Sequence, residues 1–229
     1  MNIISNDLFA NRRPSCNSCL RPLSTCICSL VTHVAHACDV LILQHPLEVH
    51  NAKNSARLLH LCLPHSKIVS GETFDESELH NLLHAPSTLP GVSAKASKAI
   101  QPVLLYPMDA SDPDAQPFAA QDLHAMQSEE DGPMPLRLVI LDGTWRKSRK
   151  MIYENALLRT LPRLSLRNTP VSQYLIRKSH KPEQLSTLEA GCYALMQLEK
   201  DSAKYHPLLN AFDDFVLQQS LLQRRVAGA

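Results

Sequence analysis

The sequence predicts an α/β domain with a small metal-holding segment on its N-terminal side. Three observations carry this. Short apolar runs of strand type alternate with longer segments of helical periodicity. One run, Leu138, Val139, Ile140 and Leu141, ends in Asp142-Gly143 and passes directly into a basic segment. Four cysteines crowd into 13 residues near the N-terminus.

The chain has 229 residues, of which 44% are hydrophobic, enough for one large domain with a small appendage. The formal net charge is +1, so the molecule as a whole carries no strong electrostatic message. No run approaches the roughly 18 apolar residues of a membrane span. No cationic region followed by an apolar one marks a signal peptide, so the expected setting is cytoplasmic and reducing. Seven cysteines in such a setting point to metal or chemistry rather than disulfides.

The elements are expected in the following order. Residues 1–14 form a loose end, and 15–34 the cysteine-bearing knuckle. Residues 35–229 form the main domain. Residues 38–44 (CDVLILQ) read as a buried strand that exits sharply at His45-Pro46. Residues 51–63 read as a helix, with Ala56, Leu58, Leu59 and Leu63 on its apolar side. Residues 67–70 make a short strand closed by Gly71. Residues 75–84 are helical, with Leu79, Leu82 and Leu83 on one face. Residues 103–106 are another strand. Residues 109–135 carry acids, several prolines and no Lys or Arg, and read as a poorly ordered insertion.

After the strand ending at Asp142, residues 145–158 read as one helix. Residues 164–166 and 174–176 are short strands. Residues 186–200 are a helix opened by Ser186-Thr187-Leu188-Glu189, a capping box with Ser186 as N-cap and Glu189 at the third helical position. Residues 207–222 form a terminal helix on Leu208, Leu209, Phe212, Phe215 and Val216. There is no phosphate-loop signature and no dinucleotide fingerprint.

Cys16, Cys19, Cys26 and Cys28 have the density of a closed tetrahedral thiolate shell, which fits a structural zinc. Metal binding would supply folding energy that so short a segment lacks. Redox chemistry is the competing reading. Cys38, Cys62 and Cys192 fall within apolar patterns and read as core.

Asp142 stands at the C-terminal end of a strand, where open α/β sheets bind ligands. The competing reading is that Asp142 and Thr144 only cap the helix that follows. Gln44, His45 and Glu48 follow another strand end. Arg57 lies on the next helix. Gly71 lies in a small-residue turn that would admit a ligand to the backbone. Residues 142–181 hold ten Lys and Arg against two acids, a local balance of +8. Such a concentration suits a phosphate-bearing partner, although charge runs are often only solvated faces.

Together, C-x2-C-x6-C-x-C, a strand ending in QHP-x-E, the element DGTW followed by basic residues, and the STLEA helix start resemble the DTW-domain family. The resemblance covers nearly the whole chain. Asp142, Thr144 and Trp145 are the D-x-T-W element. The resemblance implies a SPOUT-like knotted sheet flanked by helices. It also implies tRNA-uridine aminocarboxypropyltransferase activity, with tRNA rather than DNA as the nucleic-acid partner. The 3-amino-3-carboxypropyl group of S-adenosylmethionine would pass to N3 of a variable-loop uridine, giving acp3U and methylthioadenosine. Asp142 is then the candidate base, or an anchor for the cofactor's ammonium, with Thr144 and Trp145 beside it. Leu141, Gly71, Ile176, Ser186, Thr187, Leu188 and Glu189 are candidate cofactor contacts. Arg146, Lys147, Arg149, Lys150, Arg177, Lys178 and Lys181 are candidate RNA contacts. The long acidic insertion departs from the family's expected shorter connection. Aminocarboxypropyl transfer to ribosomal RNA, an RNA methyltransferase using the same cofactor and a non-enzymatic zinc-bearing RNA-binding module remain alternatives.

Overall fold

The computed structural model describes residues 14–87, 89, 99–108, 115–118, 135–170, 172 and 185–227. Residues 1–13, most of the acidic insertion and the strand expected at 174–176 lie outside the described residues. Five strands, β1 (Asp39–Gln44), β2 (Ser66–Ser70), β3 (Gln101–Leu105), β4 (Leu136–Asp142) and β5 (Arg163–Leu164), form one sheet in the order β2-β1-β4-β3-β5. Every pairing among these five strands is parallel. Parallel neighbours need long crossovers, and among the described residues helices lie in those from β1 to β2, from β2 to β3 and from β4 to β5.

All six residues of β1 are buried, as the unbroken apolar run predicts. Alternate residues of β1 and β4 point to opposite faces. On one face Val40, Ile42, Leu138 and Ile140 pack with α1 (Ala56–Cys62), α5 (Thr187–Glu199) and α6 (His206–Ala227). On the other, Leu41, Leu43 and Val139 pack with α2 (Glu76–His84), α3 (Trp145–Glu154) and α4 (Ala156–Arg159). The chain leaves β1 towards β2 on one side and leaves β4 towards β5 on the other. The crevice at the C-terminal ends of β1 and β4 is therefore the topological switch point.

Two expected helices are shorter than their periodicity suggests. α1 begins at Ala56 because Asn51 and Asn54 close a turn, with the Asn54 N–H donating to the Asn51 carbonyl at 2.9 Å. The helix expected over 145–158 breaks at Asn155. The Asn155 amide donates to the Met151 and Glu72 carbonyls at 2.7 and 2.9 Å, and its oxygen accepts from the Phe74 N–H at 2.9 Å. Asn155 thus ties α3 to the loop after β2. The capping box at Ser186 forms as expected, with Ser186 Oγ accepting from Glu189 N and Glu189 Oε2 accepting from Ser186 N.

The cysteine segment packs against the main domain. Cys19 and Ile27 join the core beside Phe215 of α6. Gln218 donates to the Cys26 carbonyl at 3.1 Å. Buried Arg21 lies over the Phe215 ring at 4.9 Å and donates to the Asn54 carbonyl at 3.0 Å. Among the described residues, no helix is long and apolar enough to cross a membrane.

Candidate active site

A cavity of about 800 Å³ opens at the switch point. Its size suits a small-molecule ligand. Leu141, Gly143, Thr144, Trp145 and Arg146 wall it from the end of β4 and the start of α3. Ser186, Thr187 and Ala190 wall it from α5, and Leu164, Ser165, Leu166 and Thr169 from the segment after β5. Tyr106, Glu48 and Lys53 complete much of the rim. The DGTW and STLEA segments, more than 40 residues apart in sequence, therefore face one space.

Asp142 sits immediately behind this wall. It is 1% exposed and does not line the cavity. Its Oδ2 accepts from Asn54 Nδ2 at 2.5 Å and Gln44 Nε2 at 2.8 Å, and its Oδ1 accepts from Thr187 Oγ1 at 2.7 Å. These bonds satisfy both oxygens and fix the carboxylate's plane. Gln44 is Asp142's register partner across β1 and β4. Asn54 reaches it because the turn before α1 aims its side chain inward.

The remaining polar residues of QHP-x-E brace the rim. His45 Nδ1 accepts from the Leu47 N–H at 3.2 Å, which leaves Nε2 to donate to Glu72 at 3.0 Å. Glu72 also accepts from Lys150 at 2.9 Å. Lys150 and then His45 hold the Glu72 carboxyl below its usual range. Buried Glu48 accepts from Lys147 Nζ and Asn51 Nδ2, each at 2.8 Å. Arg57 is half-buried, and that burial lowers its pKa.

Of the expected cofactor contacts, Leu141, Ser186 and Thr187 line the cavity. Gly71, Leu188 and Glu189 do not. Gly71 instead leaves room for Phe74, whose ring would stand 2.5 Å from an added Cβ. Leu188 is core, and its N–H donates to Ser55 Oγ at 3.2 Å. Glu189 closes the capping box and accepts from Ser172 at 2.8 Å. Ile176 lies outside the described residues.

Thr144 lines the wall and also caps α3, its hydroxyl accepting from the Lys147 N–H at 3.4 Å. Trp145 is 48% exposed and meets Tyr106 edge-on at 5.5 Å. It lines the cavity while remaining half-exposed.

The basic segment divides in two. Arg146 and Arg149 are exposed, and no ion pair engages them among the described residues. Lys147 and Lys150 are tied to Glu48 and Glu72. Arg163, counted in the local +8, is 2% exposed and lies over the Tyr106 ring at 5.5 Å, so it does not belong to any outer face. Arg177, Lys178 and Lys181 lie outside the described residues.

The four cysteine sulfurs lie within 4.8 Å of one another. Cys16 and Cys28 are 3.5 Å apart, and Cys19 and Cys26 3.7 Å. Zinc–sulfur bonds of about 2.3 Å at tetrahedral angles place sulfurs about 3.8 Å apart, so the set fits one metal ion. Hydrogen bonds from the backbone at Cys19 and Ser18 lower the Cys16 thiol to about 6. Burial and the neighbouring thiols push Cys28 up to about 12. Four sulfurs close the shell and leave no position for a reacting molecule.

Gln44 is expected at a strand end beside the site, and it bonds Asp142 there; Asn54 is not singled out as a site residue by the sequence. The only local signal for Asn54 was a polar pair near a helix start.

The chain is 31% identical over 208 residues to tRNA-uridine aminocarboxypropyltransferase 2 of Macaca fascicularis, covering 87% of this chain and 61% of that protein. Its identity to the Mus musculus protein of the same name is 29% over 208 residues, with the same coverage of 87% and 61%. The Drosophila melanogaster protein of that name is 29% identical over 197 residues, covering 82% of this chain and 68% of the relative. The chain thus spans 61% of the length of the first two relatives. No solved structure matches it. The DTW domain description matches residues 13–220. By that match the chain belongs to the DTW domain family.

Proposed function

We propose that this protein is a tRNA-uridine aminocarboxypropyltransferase. It transfers the 3-amino-3-carboxypropyl group of S-adenosylmethionine to N3 of a variable-loop uridine. The observation that carries the reading is the shared cavity. The two segments that mark the family, DGTW and STLEA, wall one space of cofactor size at the sheet's switch point. The names of the relatives supply the reaction class.

The sulfonium donor brings its own activated leaving group. The protein's task is then to position the reactants and to manage one proton. Leu141 and Ser186 hold the donor, with Ile176 as a further proposed contact, and Thr187 stands beside them against Asp142. Trp145 offers its half-exposed ring to a base at the cavity. Arg146 and Arg149, with Arg177, Lys178 and Lys181, take tRNA phosphates. Asp142 is the destination of the uridine N3 proton. Cys16, Cys19, Cys26 and Cys28 hold a structural zinc that fixes the knuckle against α6. A SPOUT-like knot in the C-terminal half and a cytoplasmic setting belong to the same reading.

The test is incubation of the purified protein with S-adenosylmethionine and unmodified tRNA. The expected products are methylthioadenosine and one added aminocarboxypropyl mass on one uridine. S-adenosylhomocysteine in place of methylthioadenosine would identify a methyltransferase, and neither product would leave an RNA-binding module.

A further inference from the structure

We infer that Thr187 is the group that meets the acceptor nitrogen, and that it passes the proton inward to Asp142. The inference rests on the transferase reading and specifies how its base works. Asp142 is buried behind the cavity wall and its Oδ2 is held by two amide donors, Asn54 and Gln44. Neither amide can accept a proton. Among the described residues, Thr187 is the only one that both lines the cavity and bonds the Asp142 carboxylate. The carboxylate therefore communicates with the cavity through one hydroxyl.

That hydroxyl has a fixed polarity. Thr187 Oγ1 donates its single proton to Oδ1 at 2.7 Å. Towards the cavity it presents only lone pairs, so it accepts from an N–H. A charge-assisted hydroxyl–carboxylate bond of this length polarises the oxygen further. Uracil N3 at neutral pH is such a donor. Asn54 and Gln44 are positioning residues, since their amides set the plane that points Oδ1 at Thr187.

The step balances. The N3–H bond breaks as its proton moves to Thr187 Oγ1, whose own proton moves to Asp142 Oδ1. The freed nitrogen pair forms the N3–C bond to the aminocarboxypropyl carbon. The C–S bond breaks and its pair stays on sulfur, giving neutral methylthioadenosine. Asp142 ends the turn protonated and returns the proton to solvent when products leave.

The test compares Thr187→Ser and Thr187→Val in single turnover, reading methylthioadenosine release, with S-adenosylmethionine affinity measured separately by calorimetry. The serine variant is expected to stay within about threefold of wild type. The valine variant is expected to lose on the order of 10²-fold in rate with nearly unchanged donor affinity. A near-normal rate for the valine variant overturns the relay. So does a loss that appears wholly as weaker donor binding, which would make Thr187 an anchor. Because Thr187→Val leaves a buried carboxylate oxygen without its donor, the wild-type enzyme provides a second reading independent of folding. Its single-turnover rate in mixtures of light and heavy water should give a bowed proton inventory, two protons moving together, and a linear one overturns the relay. If wild type releases no methylthioadenosine at all, the transferase reading itself has failed.

Discussion

Gln44 and Asp142 end adjacent parallel strands in register, and the Gln44 amide donates to Asp142 Oδ2 at 2.8 Å. The last rung of the central strand pair is thus continued by side chains. Asn54 adds its own amide to the same oxygen. Asp142 is held as firmly as the sheet itself, and what it presents to the cavity is decided by its partners.

Removing one of those partners has a measurable cost. Asn54→Ala deletes a donor to Oδ2 and an acceptor for the Arg57 N–H at 3.3 Å. The expected loss is about 1–3 kcal/mol in urea unfolding. The exchange Asp142→Asn with Asn54→Asp restores donor against acceptor, so the double variant should be more stable than the sum of the two singles predicts. Strict additivity would show that the pair is not coupled.

Zinc content should be about one ion per chain by elemental analysis. Chelation should lower Tm by about 10 °C, or about 3–4 kcal/mol at the usual slope for a chain of this size. Cys19→Ser should do the same without chelator. Full stability in metal-free protein would contradict the knuckle's structural role.

Charge removal separates the two groups of basic residues. Arg146→Gln and Arg149→Gln should each reduce the salt dependence of tRNA binding by about one unit of slope. Arg163→Gln should leave that slope unchanged and lower the unfolding midpoint instead, because Arg163 is buried over Tyr106. Filter binding at several salt concentrations distinguishes them.

Acid should weaken the fold before it neutralises the carboxylates. His36 Nε2 accepts from the His65 N–H at 3.2 Å, so Nδ1 carries the proton that it donates to the Cys38 carbonyl at 2.7 Å. Burial lowers the His36 pKa below its usual 6.5, and does the same to His60. The unfolded chain therefore binds more protons than the native one just below that value. Stability is fully present above about 6.5 and falls as pH drops through the lowered native values. Urea midpoints between about pH 7.5 and pH 5 should decline, and His36→Gln should flatten the decline.

Gly191 lets α5 sit close to α1 and β4. An added Cβ would stand 2.8 Å from Leu59 Cδ2 and 3.1 Å from Ile140 Cδ1. Gly191→Ala should cost about 1–3 kcal/mol through overpacking, read from the unfolding midpoint.

Much of this architecture is legible in the sequence, for local reasons. The run over 38–44 has no polar alternation, and β1 is buried throughout. Ser186 and Glu189 have capping-box spacing, and both hydrogen bonds form. Four cysteines within 13 residues can hardly avoid one another. What the sequence conceals depends on partners far along the chain. Asn54 reads as a helix-start residue, yet its side chain belongs to an acid 88 positions away. Asn155 sits in an unbroken helical pattern, and only the loop after β2 gives its amide a reason to interrupt the helix. Arg163 carries a charge, but nothing local shows that an aromatic ring will cover it. Asp142 is placed correctly at a strand end. The direction its carboxylate faces is set by Gln44, Asn54 and Thr187, which local pattern cannot connect.

The central strand pair joins residues 98 positions apart. No hairpin can bring them together, and the intervening chain must lose much of its freedom before a single rung forms. Chains dominated by such distant contacts fold on a scale of milliseconds to seconds rather than microseconds. While it waits, the apolar DVLILQ segment is an open template for other chains, which makes synthesis rate and temperature matter for yield. There is a compensating strictness. The rung that unites Gln44 with Asp142 exists only when the two strands have met, so no half-folded species carries a half-working pocket.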